Sequence, residues 1–470
     1  MLRDDYPVGS RRTLALAAPA LAMAMASLDQ NIIAPALPGI ATTLGSAEQL
    51  SWIASAFMLT ATVTMPLHGR LSDRYGRGLL LGAAIIIFVL ASLAAGLVTS
   101  MPAMVVARAT QGIGAGGLIS LSQALLADII PPAERGRYQG LFASIFGVCS
   151  LLGPYLGGLI TDLWSWRWIF LINVPLGAVT LAVLALAPQR SRHVRVDALD
   201  IRGALAFLIA SAAALMLVES TGRSSGGKAW FVALVSLALV SGAYFVRRER
   251  HGQPLFPRAI LRSGAVTRTM AIMLLLGGAM FAGSIFVPLY LQSARGLSAT
   301  MSGFLLVPMT VGIMVAAFAG GRLHMPRALI TLPRVGLAIS LVASLAASAL
   351  VAVNGSLAGF IVALCCIGIG IGLAQPALVA NLQNSVARED LGIVTSTATF
   401  CRSLGGTFGI AVAGVGQTVL SARLPGDASM VTLAGTLGIA AICYLLALRL
   451  ASALVEGTAA MAATVLEEGH

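Results

Sequence analysis

Apolar residues run through this chain in long blocks, and the short breaks between them hold nearly all of its charges. Blocks fall at 13–37, 50–70, 79–98, 102–126, 138–161, 167–187, 201–219, 229–246, 268–292, 302–321, 333–353, 357–381, 394–419 and 430–453. A helix needs about 20 mostly apolar residues to cross a bilayer core of about 30 Å, so the pattern predicts fourteen spans and an all-α polytopic membrane protein. Within the blocks apolar and polar residues do not alternate, which argues against an outer-membrane barrel.

Composition agrees. At 58% hydrophobic, 10% charged and a mean hydropathy of +0.91, the chain departs from soluble domains, which carry about 25% charged residues. A cytosolic enzyme, a secreted domain and a disordered chain are excluded. The net charge of +12 is carried by 29 Arg and the single Lys228. Of these 30 bases, 23 fall at the N-terminus, in the even-numbered breaks or at the end of the last block, five fall in odd-numbered breaks, and Arg108 and Arg402 lie inside blocks. Bases collect on the cytoplasmic side, so both termini are expected in the cytoplasm of a multi-pass protein of the inner (plasma) membrane. No basic patch is left over for nucleic acid. Trp52, Trp164, Trp166, Trp168 and Trp230 lie in or beside odd-numbered breaks, where the outer interface suits an amphipathic ring. The five Cys sit inside apolar blocks without ligand spacing and suggest neither a disulfide frame nor a metal site.

The chain also repeats itself. Gly69-Arg70-Leu71 returns as Gly321-Arg322-Leu323 and Leu152-Gly153 as Leu404-Gly405, both at an offset of 252, and Pro35 matches Pro288 at 253. Blocks 1–6 thus map on blocks 9–14, with blocks 7 and 8 inserted. This divides the chain into a six-helix bundle over 1–190, two inserted spans with flanking loops over 191–250, and a linker, second six-helix bundle and short cytoplasmic tail over 251–470. Parallel six-helix repeats are a transporter design, with the substrate site between the halves near mid-bilayer.

Several residues stand out against this apolar background. Asp29, in Leu28-Asp29-Gln30-Asn31, lies deep in the first block, where an ionised carboxylate is costly unless it faces a cavity or a partner; it reads as a proton carrier or as glue between helices. Arg108 shares a helix face with Gln111 and Gly112 and needs acceptors of its own, for function or to fix neighbouring backbone. Gly114 and Gly116 let helices approach closely. Gly153-Pro154-Tyr155-Leu156-Gly157-Gly158 puts a kink and small residues inside the fifth block, as a static bend or a sliding contact. The expected loop Gly69-Arg70-Leu71-Ser72-Asp73-Arg74-Tyr75-Gly76-Arg77 holds an acid that could pair across two halves as a latch. Gln30, Asn31, Gln111 and Gln292 are candidates for a substrate cavity; Gln375, Asn381, Gln383 and Asn384 are further polar residues in or near second-half spans. No phosphate-binding loop, GxSxG or HExxH occurs. The expectation is therefore not an enzyme but a carrier driven by an ion gradient, without cofactor or metal.

These residues resemble the major facilitator superfamily. Gly69 through Arg77 is similar to its motif A, with Gly78 where a base is usual. Arg108-Ala109-Thr110-Gln111-Gly112-Ile113-Gly114-Ala115 resembles motif B, and Gly140 through Gly158 resembles the antiporter motif C, with Cys149 in place of one Gly. Leu28 through Pro38, Trp166 through Gly177 and Arg402-Ser403-Leu404-Gly405-Gly406 are similar to the 14-span drug–proton antiporter branch, with departures at Asn31 and Ala34. The second-half copy of motif A, Gly321-Arg322-Leu323-His324-Met325, has no acid. The resemblance implies two six-helix bundles plus two inserted helices, and a secondary active transporter that exports drugs or other amphipathic small molecules in exchange for protons by alternating access. It implies Asp29 as the proton site with Arg108 tuning it; Gly69, Asp73, Arg74, Gly76 and Arg77 as the cytoplasmic gate; and Gly153, Pro154, Gly157 and Gly158 as the antiport element. The expected partners are the substrate, protons and the bilayer, with the chain a monomer. A dedicated exporter of one metabolite, siderophore or lipid, and a transport-inactive receptor or scaffold, are the alternative readings.

Overall fold

Long helices form wherever the apolar blocks run, and they break where Pro or Gly removes or redirects a hydrogen bond. The computed structural model describes residues 10–44, 50–187, 200–220, 228–251, 263–297, 299–321, 328–423 and 428–467. All regular structure among them is helical: α1 Ser10–Ile32, α2 Leu37–Leu44, α3 Leu50–Tyr75, α4 Arg77–Leu97, α5 Met101–Ile129, α6 Arg135–Leu163, α7 Trp168–Leu171, α8 Asn173–Leu186, α9 Ile201–Ser220, α10 Lys228–His251, α11 Gly264–Ser293, α12 Ala299–Phe304, α13 Val307–Gly321, α14 Ala328–Ala352, α15 Leu357–Asn384, α16 Leu391–Arg423 and α17 Ala428–Glu467, with single 3₁₀ turns at Ala34–Ala36, Pro132–Glu134 and Arg388–Asp390.

Ten helical stretches among the described residues are long and apolar enough to cross a membrane: 77–97, 101–129, 132–163, 168–186, 229–250, 264–292, 301–321, 331–352, 357–384 and 430–453. The other four expected blocks are helical as α1, α3, α9 and α16 but fall outside that set. Three of them carry charge within the helix, at Asp29 in the last turn of α1, at Arg70 and Asp73 in the last turns of α3, and at Arg402 in the middle part of α16.

One expected loop is not a loop. Residues 69–75 are the last turns of α3, and only Gly76 separates α3 from α4. Gly76 has φ 96°, a left-handed conformation that costs a residue without Cβ little. The polar run is helical because α3 packs this end against neighbouring helices and does not leave it in water. The acid-free repeat at Arg322–Met325 lies outside the described residues, as does most of the expected linker, 252–262.

The first helices pack among themselves, α3 and α4 on α5 and α1 on α6; the last do likewise, α11 on α16 and α17 and α15 on α13 and α14. One core cluster runs from Val266 to Ala451, and three smaller ones lie between Ala15 and Leu184. The two groups meet where α3 packs on α16 and α6 on α13, while α9 and α10 form a hairpin that touches α3 and α16. Much of the outer surface is apolar: Leu79, Val106, Leu186, Val240 and Val342 are each at least 66% exposed, as lipid-facing side chains are. Of the tryptophans, Trp164, Trp168 and Trp230 are at least half exposed, but Trp166 is buried, its Nε1 donating to Thr43 Oγ1 at 3.1 Å and its ring edge-on to Phe170. It holds α2 in place, where an exposed interfacial ring was expected.

Candidate functional site

Five helices converge on Asp29. Its Oδ2 accepts from Arg108 Nη1 at 2.6 Å, and its Oδ1 accepts from Gln111 Nε2 at 2.8 Å and Asn173 Nδ2 at 2.9 Å. Ser92 of α4 ties the two amides together, at 2.6 Å from Gln111 and 3.3 Å from Asn173. Arg108 also donates to Gln111 Oε1 at 2.6 Å and, through Nε, to the Ile53 carbonyl of α3 at 3.2 Å. Its guanidinium lies 4.1 Å from the Phe57 ring centroid, a cation–π distance. Asp29 and Arg108 are 2% and 1% exposed. A buried pair holds only if its remaining donors and acceptors are met, and removing one partner then costs about 3–5 kcal/mol. Three donors, from Arg108, Gln111 and Asn173, face the carboxylate here.

Beside this network, between the first and last groups of helices, lies a cavity of about 410 Å³, within the range of small-molecule sites. Its wall mixes apolar side chains such as Met23, Phe142, Phe281 and Ile313 with Gln30, Gln123, Gln139 and Gln375. Phe57 lines it too, so the Arg108 guanidinium packs on a residue of the cavity wall. Close packing sets that ring: a Cβ on Gly112 would run into the Phe57 carbonyl.

Of the four residues expected along a cavity, the structure puts Gln30 on this wall and the others elsewhere. Gln111 is spent on the Asp29 network. Asn31 turns back, its Nδ2 donating to Ser27 O at 2.7 Å and to Ser150 Oγ at 3.4 Å. Gln292 is exposed at the end of α11. Sequence reasoning missed Ser92 and Asn173 in the network and Gln123, Gln139 and Arg402 on the wall; Gln375 was noted without a place. Asn173 lies inside the quoted 166–177 segment, but nothing local says that it meets a carboxylate 144 residues away.

At the Asp73 end the first and last groups of helices are joined directly. Asp73 Oδ1 accepts the Gly392 N–H at 3.0 Å and Oδ2 the Ile393 N–H at 2.8 Å, at the first turn of α16, where free N–H groups and the helix dipole favour an anion. Arg77 Nη2 donates to Asp73 Oδ1 at 2.9 Å and its Nη1 pairs with Asp128. Burial raises the Asp73 carboxyl to about 6, against the opposing effects of Arg77 and the two amides. Gly69 lies against the Gly392 carbonyl and Ser396, and Arg74 stacks on the Tyr75 ring at 5.3 Å. Alongside, Arg135 donates to Gln383 O at 2.7 Å and Asn384 Oδ1 at 2.8 Å, and Gln139 Nε2 donates to Gln383 Oε1 at 3.1 Å. In α6, Gly153 and Gly157 press on the backbone of Asn31 and Ile32, a Cβ on Gly158 would reach Pro35 only at 3.9 Å, and Pro154 is exposed within the helix.

The sequence profile of the Major Facilitator Superfamily matches residues 20–410. The chain belongs to that superfamily. Among its superfamily relatives, the multidrug transporter protein MdtP of Bacillus subtilis is 31% identical over 427 residues, covering 89% of this chain and 77% of the relative. Multidrug resistance protein 3 of the same organism is 29% identical over 402 residues, covering 85% and 78%. An uncharacterized MFS-type transporter of Mycobacterium tuberculosis is 35% identical over 407 residues, 86% of this chain but only 59% of that longer relative. Two solved structures share the fold: the human organic anion transporter MFSD10, with TM-score 0.66 and 18% identity over 92% of this chain and 99% of that one, and the major facilitator superfamily proton:xylose symporter XylE, with TM-score 0.67 and 14% identity over 92% and 95%. This is a multi-pass membrane protein of a transporter superfamily.

Proposed function

We propose that this chain exports amphipathic small molecules in exchange for protons, by alternating access. The observation that carries the reading is a buried carboxylate–guanidinium pair, Asp29–Arg108, packed on Phe57, a wall residue of a cavity between two groups of helices. Asp29 is the proton site. Protonation removes the charge that holds Arg108, and Arg108 bears on Phe57, a wall residue, while the next residue after Asp29, Gln30, is another. A proton taken up at Asp29 thereby reshapes the cavity. Relatives named for multidrug transport and multidrug resistance support an amphipathic cargo.

On this reading α1, α3, α9 and α16 join the ten apolar stretches to give fourteen spans, with 1–190 and 251–470 as the two moving bundles and 191–250 inserted between them. The distribution of bases supports cytoplasmic termini in the plasma membrane, which makes the Asp73 end the cytoplasmic one. The Asp73 and Arg135 contacts then close the cytoplasmic side, and the arrangement described here is outward-facing. The chain works as a monomer. Purified protein in proteoliposomes with an imposed pH gradient tests the reading. Substrate should move uphill against proton flow, and movement indifferent to the gradient would overturn it.

A further inference from the structure

The cavity carries one unmatched charge. Among its lining residues there is no Asp, Glu, Lys or His, and Arg402 of α16 is the single ionised side chain. Arg402 makes no hydrogen bond or ion pair with any described residue; its guanidinium lies 5.8 Å from the centroid of the Phe281 ring, itself on the wall. Arg108 and Arg135 behave differently, each spending its guanidinium on acceptors at 2.6–3.4 Å. The buried acid of the spans, Asp29, cannot answer Arg402, because Arg108, Gln111 and Asn173 already occupy it. Asp29 and Arg108 cancel, so the charge presented to a cargo is that of Arg402.

Backbone packing fixes this position. A Cβ on Gly277 would run into the Arg402 carbonyl, one on Gly405 into that of Leu274, and one on Gly409 into that of Gly278. This close crossing of α11 and α16 sets the rotation of α16, and Arg402, Ser403, Gly406, Thr407 and Ile410 form the face it turns to the cavity. Arg402 lies eleven residues into α16, about 17 Å from its start at 1.5 Å per residue, near the middle of a core about 30 Å thick. A guanidinium at that depth without a partner among the described residues is expensive and marks a site for a ligand. Its planar fork suits a carboxylate, sulfonate or phosphate, and the surrounding Met and Phe side chains suit an apolar body.

We propose that the cavity selects amphipathic anions, with Arg402 binding the acidic group and the apolar wall the remainder. This rests on the export reading and names its substrate class. The test uses the full chain in lipid nanodiscs and three probes with one apolar body: pyrenebutyrate, pyrenebutanol and pyrenebutyl-trimethylammonium, each corrected for binding to protein-free nanodiscs. The wild type should bind the carboxylate at least about tenfold tighter than the alcohol, and the ammonium weakest, because hydrogen bonds to charged groups are the stronger ones. Arg402→Gln should weaken pyrenebutyrate about tenfold to hundredfold and leave pyrenebutanol unchanged; Arg402→Lys should retain part of the preference. The wild-type series decides alone if the Gln variant fails to fold. A carboxylate bound no tighter than the alcohol, no detectable pyrenebutyrate binding, or an Arg402→Gln protein that keeps the preference overturns the assignment. Flux separates the two readings. Uphill export of the ammonium probe but not the carboxylate keeps export and overturns anion selection; Arg402-dependent pyrenebutyrate binding without gradient-driven movement keeps anion selection and overturns export.

Discussion

Asp73 and Ile393 stand 320 residues apart in the chain, yet the Asp73 carboxylate accepts the Ile393 N–H at 2.8 Å. With the neighbouring Gly392 N–H at 3.0 Å, the carboxylate caps the first turn of α16 and joins the first group of helices to the last. Burial holds its carboxyl up at about 6 in this closed arrangement. When the contact opens and water returns, the pKa falls back towards about 3.9. The closed state thus binds the proton more tightly, so its population rises as pH falls from about 6 towards about 4 and drops again as pH rises through 6. Spin labels at the exposed positions Tyr75 and Ala387 report the distance across this end. Asp73→Asn should flatten the pH response in that window and slow transport, since an amide offers one acceptor to two N–H donors. An identical response in wild type and variant would break the link.

Arg135 makes the second contact across the same end. Its Nη1 bridges Gln383 O and Asn384 Oδ1 while Nη2 holds Ala127 O at 2.8 Å in its own half. Arg135→Gln should raise the open fraction at pH 7 about tenfold or more, given about 1.5–3 kcal/mol for a hydrogen bond to a charged group. Arg135→Lys should fall between, because it keeps the charge but not the fork. The same label pair measures it, and an unchanged distance distribution in Arg135→Gln would show the contact to be incidental.

How far these features were legible in the sequence depends on their range. Span positions follow from local apolar density, which is why α4, α5 and α15 fall close to the expected blocks. Asp29 and Arg108 were visible because charge inside an apolar block is costly wherever it points. Their pairing partners were not: Ser92 and Asn173 are ordinary polar residues until the fold brings them to Asp29. Gln292 misled because polarity near a helix end fits a cavity and open water equally well. The run 69–75 misled because charged residues suggest a loop, whereas here tertiary partners at Gly392 and Ile393 keep it helical.

The two adjacent glycines of Gly157-Gly158 should behave differently. A Cβ on Gly157 would be driven into the Ile32 carbonyl, a backbone atom that can yield only if α1 and α6 separate. Overpacking of this kind costs about 1–3 kcal/mol. A Cβ on Gly158 would meet Pro35 at 3.9 Å, an ordinary contact, and Ala is the better helix former by up to about 1 kcal/mol. Gly157→Ala should therefore lower the unfolding temperature in detergent, and Gly158→Ala should leave it unchanged or raise it. Equal effects would mean that α1 and α6 do not cross at Gly157.

Asp29 is the residue on which coupling turns. Asp29→Asn keeps size and an acceptor for Arg108 but cannot carry a proton, so gradient-driven export should fall to the protein-free background. Each coupled proton supplies about 1.4 kcal/mol per pH unit and about 2.3 kcal/mol per 100 mV, and the variant loses all of it. Exchange of labelled for unlabelled substrate at equal concentrations needs no net proton movement and should survive; it also serves as the folding control, since Arg108 is left buried opposite a neutral amide. Asp29→Glu should retain partial export, because the longer acid still titrates but displaces Gln111 and Asn173 from their present 2.8 and 2.9 Å. The decisive comparison is efflux from proteoliposomes with and without an imposed pH gradient. Wild-type acceleration by the gradient in Asp29→Asn would remove Asp29 from the proton path and leave the Asp29–Arg108 pair as a purely structural tie between α1 and α5.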